Sequence, residues 1–495
     1  MQAYDVLVAR LKRVHVLGSV SGLLGWDEQV NLPPDSSDLR AEQLALIAEL
    51  HHAAASDPEI GRCLGKLEAG FAELTPDQTV VVREARRDYD RVTRLPADFV
   101  AARARLNSAA YHAWAGAKPV GDFGAFAPFL EQQLEMARRE AELLGWGDRP
   151  YDYAIDKHDP GLSAAVIDQL FAELKQGLVP LVRRVAAAAA RQPSVPLRGF
   201  PVAAQLTFLR EVTERIGFNY QRGRIDVSLH PFCEGSGADV RMTTRFDPDE
   251  PLSSLFGSIH ETGHGLYEQG LPLADQGTPL GQHAGMAVHE SQSRMWENQV
   301  GRSRDFWRHF EPRYRELFPE PLRGVSSDDL YRAINAVRPT LIRVEADEVH
   351  YNLHIILRFE LEKALFAGEL RVAELPEAWR AKSQELLGQV PPSDREGVLQ
   401  DIHWSSGAFG YFPSYCLGNM IAAQNWQAVQ RALPGLPGDF AAGRFERLLE
   451  WLRTNIHAQG RRYSALELVE RVTGEPLSPQ PLLAYLEERY GTLYA

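Results

Sequence analysis

The chain has 495 residues, 44% hydrophobic and 24% charged, the profile of a folded globular protein. Its 53 Lys and Arg against 66 Asp and Glu leave a formal charge of −13, which argues against nucleic acid as a partner and against docking to an anionic membrane. The three cysteines, Cys63, Cys233 and Cys416, are far apart and form no C-x-x-C pair, which excludes a disulfide framework or a cysteine zinc site and points to a reducing, cytoplasmic setting.

From the N-terminus, Asp5, Arg10, Lys12 and Arg13 precede any apolar stretch and no cleavage pattern follows, so no signal peptide is expected. No apolar run approaches the ~18 residues of a membrane span. Apolar residues at three- and four-residue spacing predict helices over 36–54, 60–74, 78–92, 97–117, 124–145, 163–191 and 202–216. Pro193, Pro196, Gly199 and Pro201 mark a loop before the last of these. Residues 220–247 differ: Gly, Ser and Thr surround short β-branched pieces, Arg224–Leu229 and Asp239–Arg245, which predict a hairpin or small sheet. Helical pattern resumes at 251 and dominates to the end. No internal repeat is visible, which argues against a solenoid. The expectation is a mainly α chain, a single large helical body with a small β-sheet beside its active site.

The segment from Asp247 to Gly270 places Pro251 in a first helical turn and Gly270 at the far end. Between them lies H-E-T-G-H, His260 to His264. Histidines four apart project from one face, about 6 Å apart along the axis. Two neutral imidazoles so placed hold one Zn²⁺, and the glutamate beside the first, Glu261, reaches a water and takes its proton. The pattern is that of a zinc-type metallopeptidase. The third ligand must come from elsewhere, because Glu268 lies about 12 Å beyond His260 along a straight helix. Glu290 is the best candidate, on a second helical pattern after a loop with Pro272, Gly277, Pro279 and Gly281. His283, His289 and Glu297 are its competitors.

The stretch from Pro339 to Gly368 reads as one long apolar helix carrying Arg343, Asp347, His350 and His354 on one face. Arg343 could hold a substrate carboxylate, or pair with Asp347 and merely steady the helices. The segment Gln400–Tyr415 is dense in His, Trp, Tyr and Gly. His403, Tyr411 and Tyr415 are of the type that stabilises a tetrahedral oxyanion. The same residues would equally suit an aromatic core cluster.

Several patterns occur together in order: H-P-F at 230–232, D-V-R-M-T at 239–243, H-E-T-G-H at 260–264, H-E-S-Q-S at 289–293, I-R-V-E-A-D at 342–347 and G-V-L-Q-D-I-H-W at 397–404. On these motifs, and on W-D-E-Q-V-N-L-P-P at Trp26–Pro34, the chain resembles the carboxypeptidase Taq family, peptidase family M32. The resemblance implies a mostly helical fold with a deep groove, similar to neurolysin and angiotensin-converting enzyme. It implies one domain over 1–495, with helices of about 1–190 forming one wall and 200–495 carrying the metal site. It further implies a homodimer, and a broad-specificity metallocarboxypeptidase acting on peptides with a free C-terminus through Zn²⁺ or sometimes Co²⁺. It supports His260, His264 and Glu290 as ligands, Glu261 as base, Arg343 as partner of the terminal carboxylate, and Tyr411 ahead of Tyr415 as oxyanion donor. His230, Arg241, Asp239 and His403 match motif positions and suggest substrate contact or support of the site. The departures are His350, where the family usually has threonine, Thr262 and Gly265, where alanine is common, and Asn31–Leu32; none removes a ligand or the base. An endo-oligopeptidase and a helical scaffold with a vestigial site are the rival readings.

Overall fold

The computed structural model describes residues 2–495, and they are mainly helical with one small sheet. This bears out the expected fold class. The helices of the first 216 residues fall close to their predicted places, among them Ser37–Ala55, Pro58–Ala69, Pro76–Thr93, Ala97–Val120, Phe123–Leu143, Ala164–Ala189 and Val202–Arg215. Gln2–Val30 forms a further helix that periodicity does not single out, because its apolar residues are spread around the whole circumference.

The sheet has three strands: β1 (Gly223–Val227), β2 (Cys233–Ser236) and β3 (Asp239–Thr244), in the order β1-β3-β2. Strand β1 runs parallel to β3, with Gly223 opposite Val240. Strand β2 runs antiparallel to it, with Cys233 opposite Met242. The two β-branched pieces legible in the sequence are therefore β1 and β3. They are joined through a strand too short and polar to stand out. Val240 and Met242 are fully buried, and the hydroxyl of Thr244 accepts a hydrogen bond from Ser258 at 2.8 Å, tying β3 to the helix that carries H-E-T-G-H.

Contacts divide the chain into two compact units, each assembled from three segments. The first comprises Met1–Thr93, Ser194–Ile334 and Ala422–Pro476. It holds the sheet, the H-E-T-G-H helix (Pro251–Gly270) and the Glu290 helix (Met286–Arg294). Its core includes an aromatic cluster of Phe200, Phe208, Trp307, Phe310, Tyr314 and Phe445. The second comprises Arg94–Pro193, Asn335–Ile421 and Leu477–Ala495. There Tyr151, Phe171, Phe359 and Phe366 pack together.

One prediction is corrected. The stretch 339–368 is not one helix: the regular helix is Glu348–Ala367, preceded by irregular backbone and a short 3₁₀ turn, Arg343–Glu345. Asp347 is the reason. Its carboxylate accepts from the backbone N–H groups of Val349 and His350, both at 2.9 Å, and so caps the helix there. Arg343 therefore does not share a helix face with His350 and His354.

Candidate metal centre

The H-E-T-G-H helix begins at Pro251, whose missing N–H costs nothing in a first turn, and ends at Gly270. Its neighbour begins at Met286 and carries Glu290 in its second turn. The two helices meet closely because residue 263 is glycine. A Cβ there would lie 2.5 Å from Ser293 Cα and 2.7 Å from the Gln292 carbonyl, which are backbone atoms that cannot yield. This approach brings Glu290 Oε2 to 3.5 Å from Nε2 of both His260 and His264. Their ligand atoms all lie within 4.8 Å of one another, the one such group of His, Cys, Asp and Glu among the described residues. Two imidazoles and one carboxylate suit zinc or cobalt and leave a coordination position open.

The protonation states agree with ligation. Burial opposes ionisation of Glu290, but Arg294 and His260 outweigh it and hold the carboxyl well below the usual range. Burial pushes His264 down to about 3, so its ring is neutral. Burial acts the same way on His260, but Glu290 and Glu297 overcome it and favour a proton there, which a cation would replace. Glu261, next to His260, is pushed up to about 7, mainly by burial, with His260 partly offsetting it.

The expected competitors for the third position lie behind the ligands. Glu297 sits on a π-helical turn, Met295–Gly301, that continues the Glu290 helix. It accepts from His260 Nδ1 at 3.0 Å and is held by Arg294 and Arg302. His289 Nδ1 meets His264 Nδ1 at 2.5 Å, and His289 Nε2 lies 2.8 Å from Glu268. His283 stands edge-on to His289, with ring centres 4.9 Å apart.

His230 is exposed, and its carbonyl accepts from the Ser228 hydroxyl at 2.6 Å. Arg241 forms a two-pronged pair with Asp239 at 2.9 and 3.0 Å. Its guanidinium lies 4.3 Å from the ring centre of buried Trp26, and Arg224 also lies over that ring, at 4.8 Å. Trp26 of W-D and the arginine of D-x-R-x-T thus form one contact between the first helix and the sheet.

The second unit gathers the remaining candidates. Arg343, 6% exposed, donates from Nε to Asp401 at 2.9 Å and from Nη1 to the Tyr351 hydroxyl at 3.1 Å. Its guanidinium lies 5.0 Å from the Tyr415 ring centre. Its acidic partner is thus Asp401, not Asp347. Asp401 also accepts from fully buried Arg358 at 2.7 Å. Two guanidiniums share one carboxylate, so the buried trio carries a net positive charge, suited to an anion. His403 accepts from or donates to the Tyr415 hydroxyl at 3.1 Å, and its buried Nδ1 has no hydrogen-bond partner among the described residues. Tyr411 stands edge-on to His158 at 4.9 Å and to Tyr415 at 5.1 Å. The turn before it is pinned by buried Glu362, which accepts from Trp404 Nε1 at 2.7 Å, Gly410 N at 2.9 Å and the Tyr151 hydroxyl at 3.0 Å. Gly410 has φ +74, and a Cβ there would lie 2.4 Å from the Ala154 backbone. His350 is buried against Asp347, with Nδ1 2.8 and 2.9 Å from its two oxygens, and His354 lies 3.1 Å from the Thr340 carbonyl. Both steady the start of their helix.

Sequence reasoning did not reach Asp401, Arg358, Glu362 or His158 as members of these clusters. Asp401 lies inside the quoted Q-D-I-H-W motif, and that was the available signal. The others sit in ordinary helical or turn sequence, and only the tertiary fold pairs them. Asp401→Asn should cost about 3–5 kcal/mol, because it strands two buried guanidiniums. Burial raises the Asp401 carboxyl, but Arg358 and Arg343 outweigh it and hold it well below the ordinary value of 3.8. Its contribution is therefore complete above about pH 4 and lost as pH falls below that. Denaturant titrations of wild type and variant should differ most at pH 7, with the gap beginning to narrow at pH 3 and closing only at still lower pH, as the folded carboxyl itself is protonated.

A two-histidine, one-carboxylate centre on a helix, with a glutamate beside the first histidine and a mainly helical chain around it, defines a helical metallopeptidase. The chain belongs to the carboxypeptidase Taq (M32) metallopeptidase family, whose sequence profile matches residues 6–490. It is 44% identical to thermostable carboxypeptidase 1 of Thermus thermophilus over 99% of each chain. It is 38% identical to carboxypeptidase 1 of Bacillus subtilis, over 98% of this chain and 97% of the relative. Among solved structures, the M32 carboxypeptidase from Deinococcus radiodurans R1 superposes with a TM-score of 0.96 at 42% identity, covering all of both chains. The Trypanosoma cruzi metallocarboxypeptidase 1 gives 0.95 at 34%, covering 99% of each. The protein is thus a metallocarboxypeptidase, a hydrolase with peptide substrates and a divalent metal. Among the described residues no helix is long and apolar enough to cross a membrane.

Proposed function

We propose that the protein hydrolyses the last peptide bond of peptides with broad specificity, releasing one residue at a time, with Glu261 as general base. The observation that carries the reading is the convergence of His260, His264 and Glu290 beside a buried glutamate whose carboxyl is pushed to about 7. A divalent ion held there supplies Lewis-acid chemistry: it polarises a carbonyl and makes water more acidic. Glu261 takes the proton from the attacking water and delivers it to the leaving amine, and an affinity near neutrality suits both transfers. Arg343, held by Asp401 in a cluster of net positive charge, binds the terminal carboxylate. Tyr411, with its turn fixed by Glu362, donates to the developing oxyanion, with Tyr415 and His403 beside it. His230 and Arg241 belong to the substrate-binding surface in this reading.

We further propose zinc as the resident ion with cobalt as a working substitute, a homodimer as the working form, the cytoplasm as its setting, and the whole chain as one catalytic domain. Hydrolysis of an N-blocked tripeptide, compared with its C-terminal amide, tests the reading. The free acid alone should be cleaved, with one residue released. Chelator should abolish turnover, and Zn²⁺ or Co²⁺ should restore it. Equal cleavage of the amide would indicate an endopeptidase, and no cleavage with either metal would indicate a scaffold. Sedimentation of the metal-loaded protein at twice the chain mass of 55.4 kDa would support the dimer.

A further inference from the structure

His264 has two ring nitrogens, and a ligand can use only one. Its Nε2 faces Glu290 Oε2 at 3.5 Å. Its Nδ1 faces not a carboxylate or carbonyl but another imidazole nitrogen, Nδ1 of His289. Two ring nitrogens in contact need one proton between them. Which ring carries it is decided one step further back. His289 Nε2 lies 2.8 Å from Glu268 Oε1, and a carboxylate only accepts. A neutral His289 therefore carries its proton on Nε2 and presents a lone pair at Nδ1. His264 must then carry its own proton on Nδ1, which leaves the Nε2 lone pair directed at the Glu290 side.

The sequence spacing makes this chain of contacts possible. Glu268 follows His264 by four residues on the same helix, so both lie on one face. His289 immediately precedes Glu290 on the returning helix and fills the gap between them. Tyr267 and His283 pack against the His289 ring, with centres at 5.2 and 4.9 Å, and fix its plane. Glu268 is buried, 7% exposed. His260 is backed differently, by the carboxylate of Glu297 directly.

We propose that Glu268 and His289 are positioning residues that fix the tautomer and orientation of His264 and thereby set the metal affinity of the centre. The inference rests on the reading of His260, His264 and Glu290 as the ligands. It assigns a task to the histidine of H-E-S and to Glu268, neither of which touches the ion.

The test is Zn²⁺ affinity, measured by competition with a chromogenic chelator, together with ¹⁵N spectra of the zinc-loaded protein labelled at histidine. His289→Leu should weaken zinc binding about 10- to 100-fold. His289→Asn sets an amide oxygen where Nδ1 stood and should recover most of the loss. Glu268→Gln keeps an acceptor and should remain within a few-fold of wild type, whereas Glu268→Leu should not. The wild-type spectrum should show His264 protonated at Nδ1. Zinc affinity unchanged in folded His289→Leu, or a His264 proton on Nε2, would overturn the inference. Should His289→Leu not fold, the wild-type spectrum and His289→Asn decide. A wild type that binds no zinc, or binds it equally after His264→Ala, would instead remove the metal-centre reading itself.

Discussion

Glu261→Gln should lower kcat by about 10²- to 10⁴-fold while zinc affinity stays within a few-fold of wild type. Glutamine keeps the shape and buried volume of the side chain but cannot take a proton. The ligands do not depend on Glu261, since Glu290 is held by Arg294 at 2.6 Å and His260 by Glu297. A stability effect of opposite sign should accompany the loss. Burial raises the Glu261 carboxyl from 4.5 to about 7 in the metal-free protein. Between those values the folded chain holds a proton that the unfolded chain releases, so this group's contribution falls as pH rises from about 4.5 to 7. Metal-free Glu261→Gln should therefore melt higher than metal-free wild type at pH 8, with the gap closing towards pH 5. Steady-state kinetics, chelator competition and thermal melts separate the effects. A variant that turns over like wild type would end the general-base assignment.

Gly263→Ala should abolish the metal centre without touching a ligand. Interior helical positions ordinarily favour alanine over glycine by about 1 kcal/mol. Here the added methyl would lie 2.5 Å from Ser293 Cα and 2.9 Å from Ser293 N, with no flexible side chain in the way to move aside. The helices must separate, and Glu290 leaves the two histidines. The expected result is zinc affinity lowered at least 10-fold and activity lowered in parallel, with far-ultraviolet circular dichroism unchanged. Near wild-type zinc binding in Gly263→Ala would show that the helices adjust by another route.

These two residues mark what a single sequence reveals of such a site. His260, Glu261 and His264 are legible because ligand, base and ligand fall within one helical turn, where spacing fixes geometry. Glu290 is legible only as a candidate, because its place depends on a loop and on the close approach that Gly263 permits. Arg343 is legible as a candidate holder of a carboxylate, but the alternative pairing with Asp347 gives way to one with Asp401. Periodicity extends a helix through Asp347, whereas a capping carboxylate stops it. Glu268 is set aside as a ligand for its distance along the axis, yet distance says nothing of its reach through His289. Most helix positions between about 36 and 216 were legible because they rest on local pattern. Strand β2 was not, being four residues long and including a glycine. What sequence alone withholds is pairing between segments far apart in the chain.

The threading of the metal-bearing unit has a consequence for how it is made. His457 donates to or accepts from Gln292 at 3.0 Å, across 165 residues of chain. It also packs against Gly270, where a Cβ would lie 2.1 Å from its ring nitrogen. The helix pair that carries the ligands is thus buttressed by a segment, Ala422–Pro476, that leaves the ribosome long after the histidines do. During synthesis His260 and His264 emerge without their final support, and the intervening stretch contributes to the other unit first. The helix pair that carries the ligands therefore cannot reach its final packing before the Ala422–Pro476 segment has been synthesised.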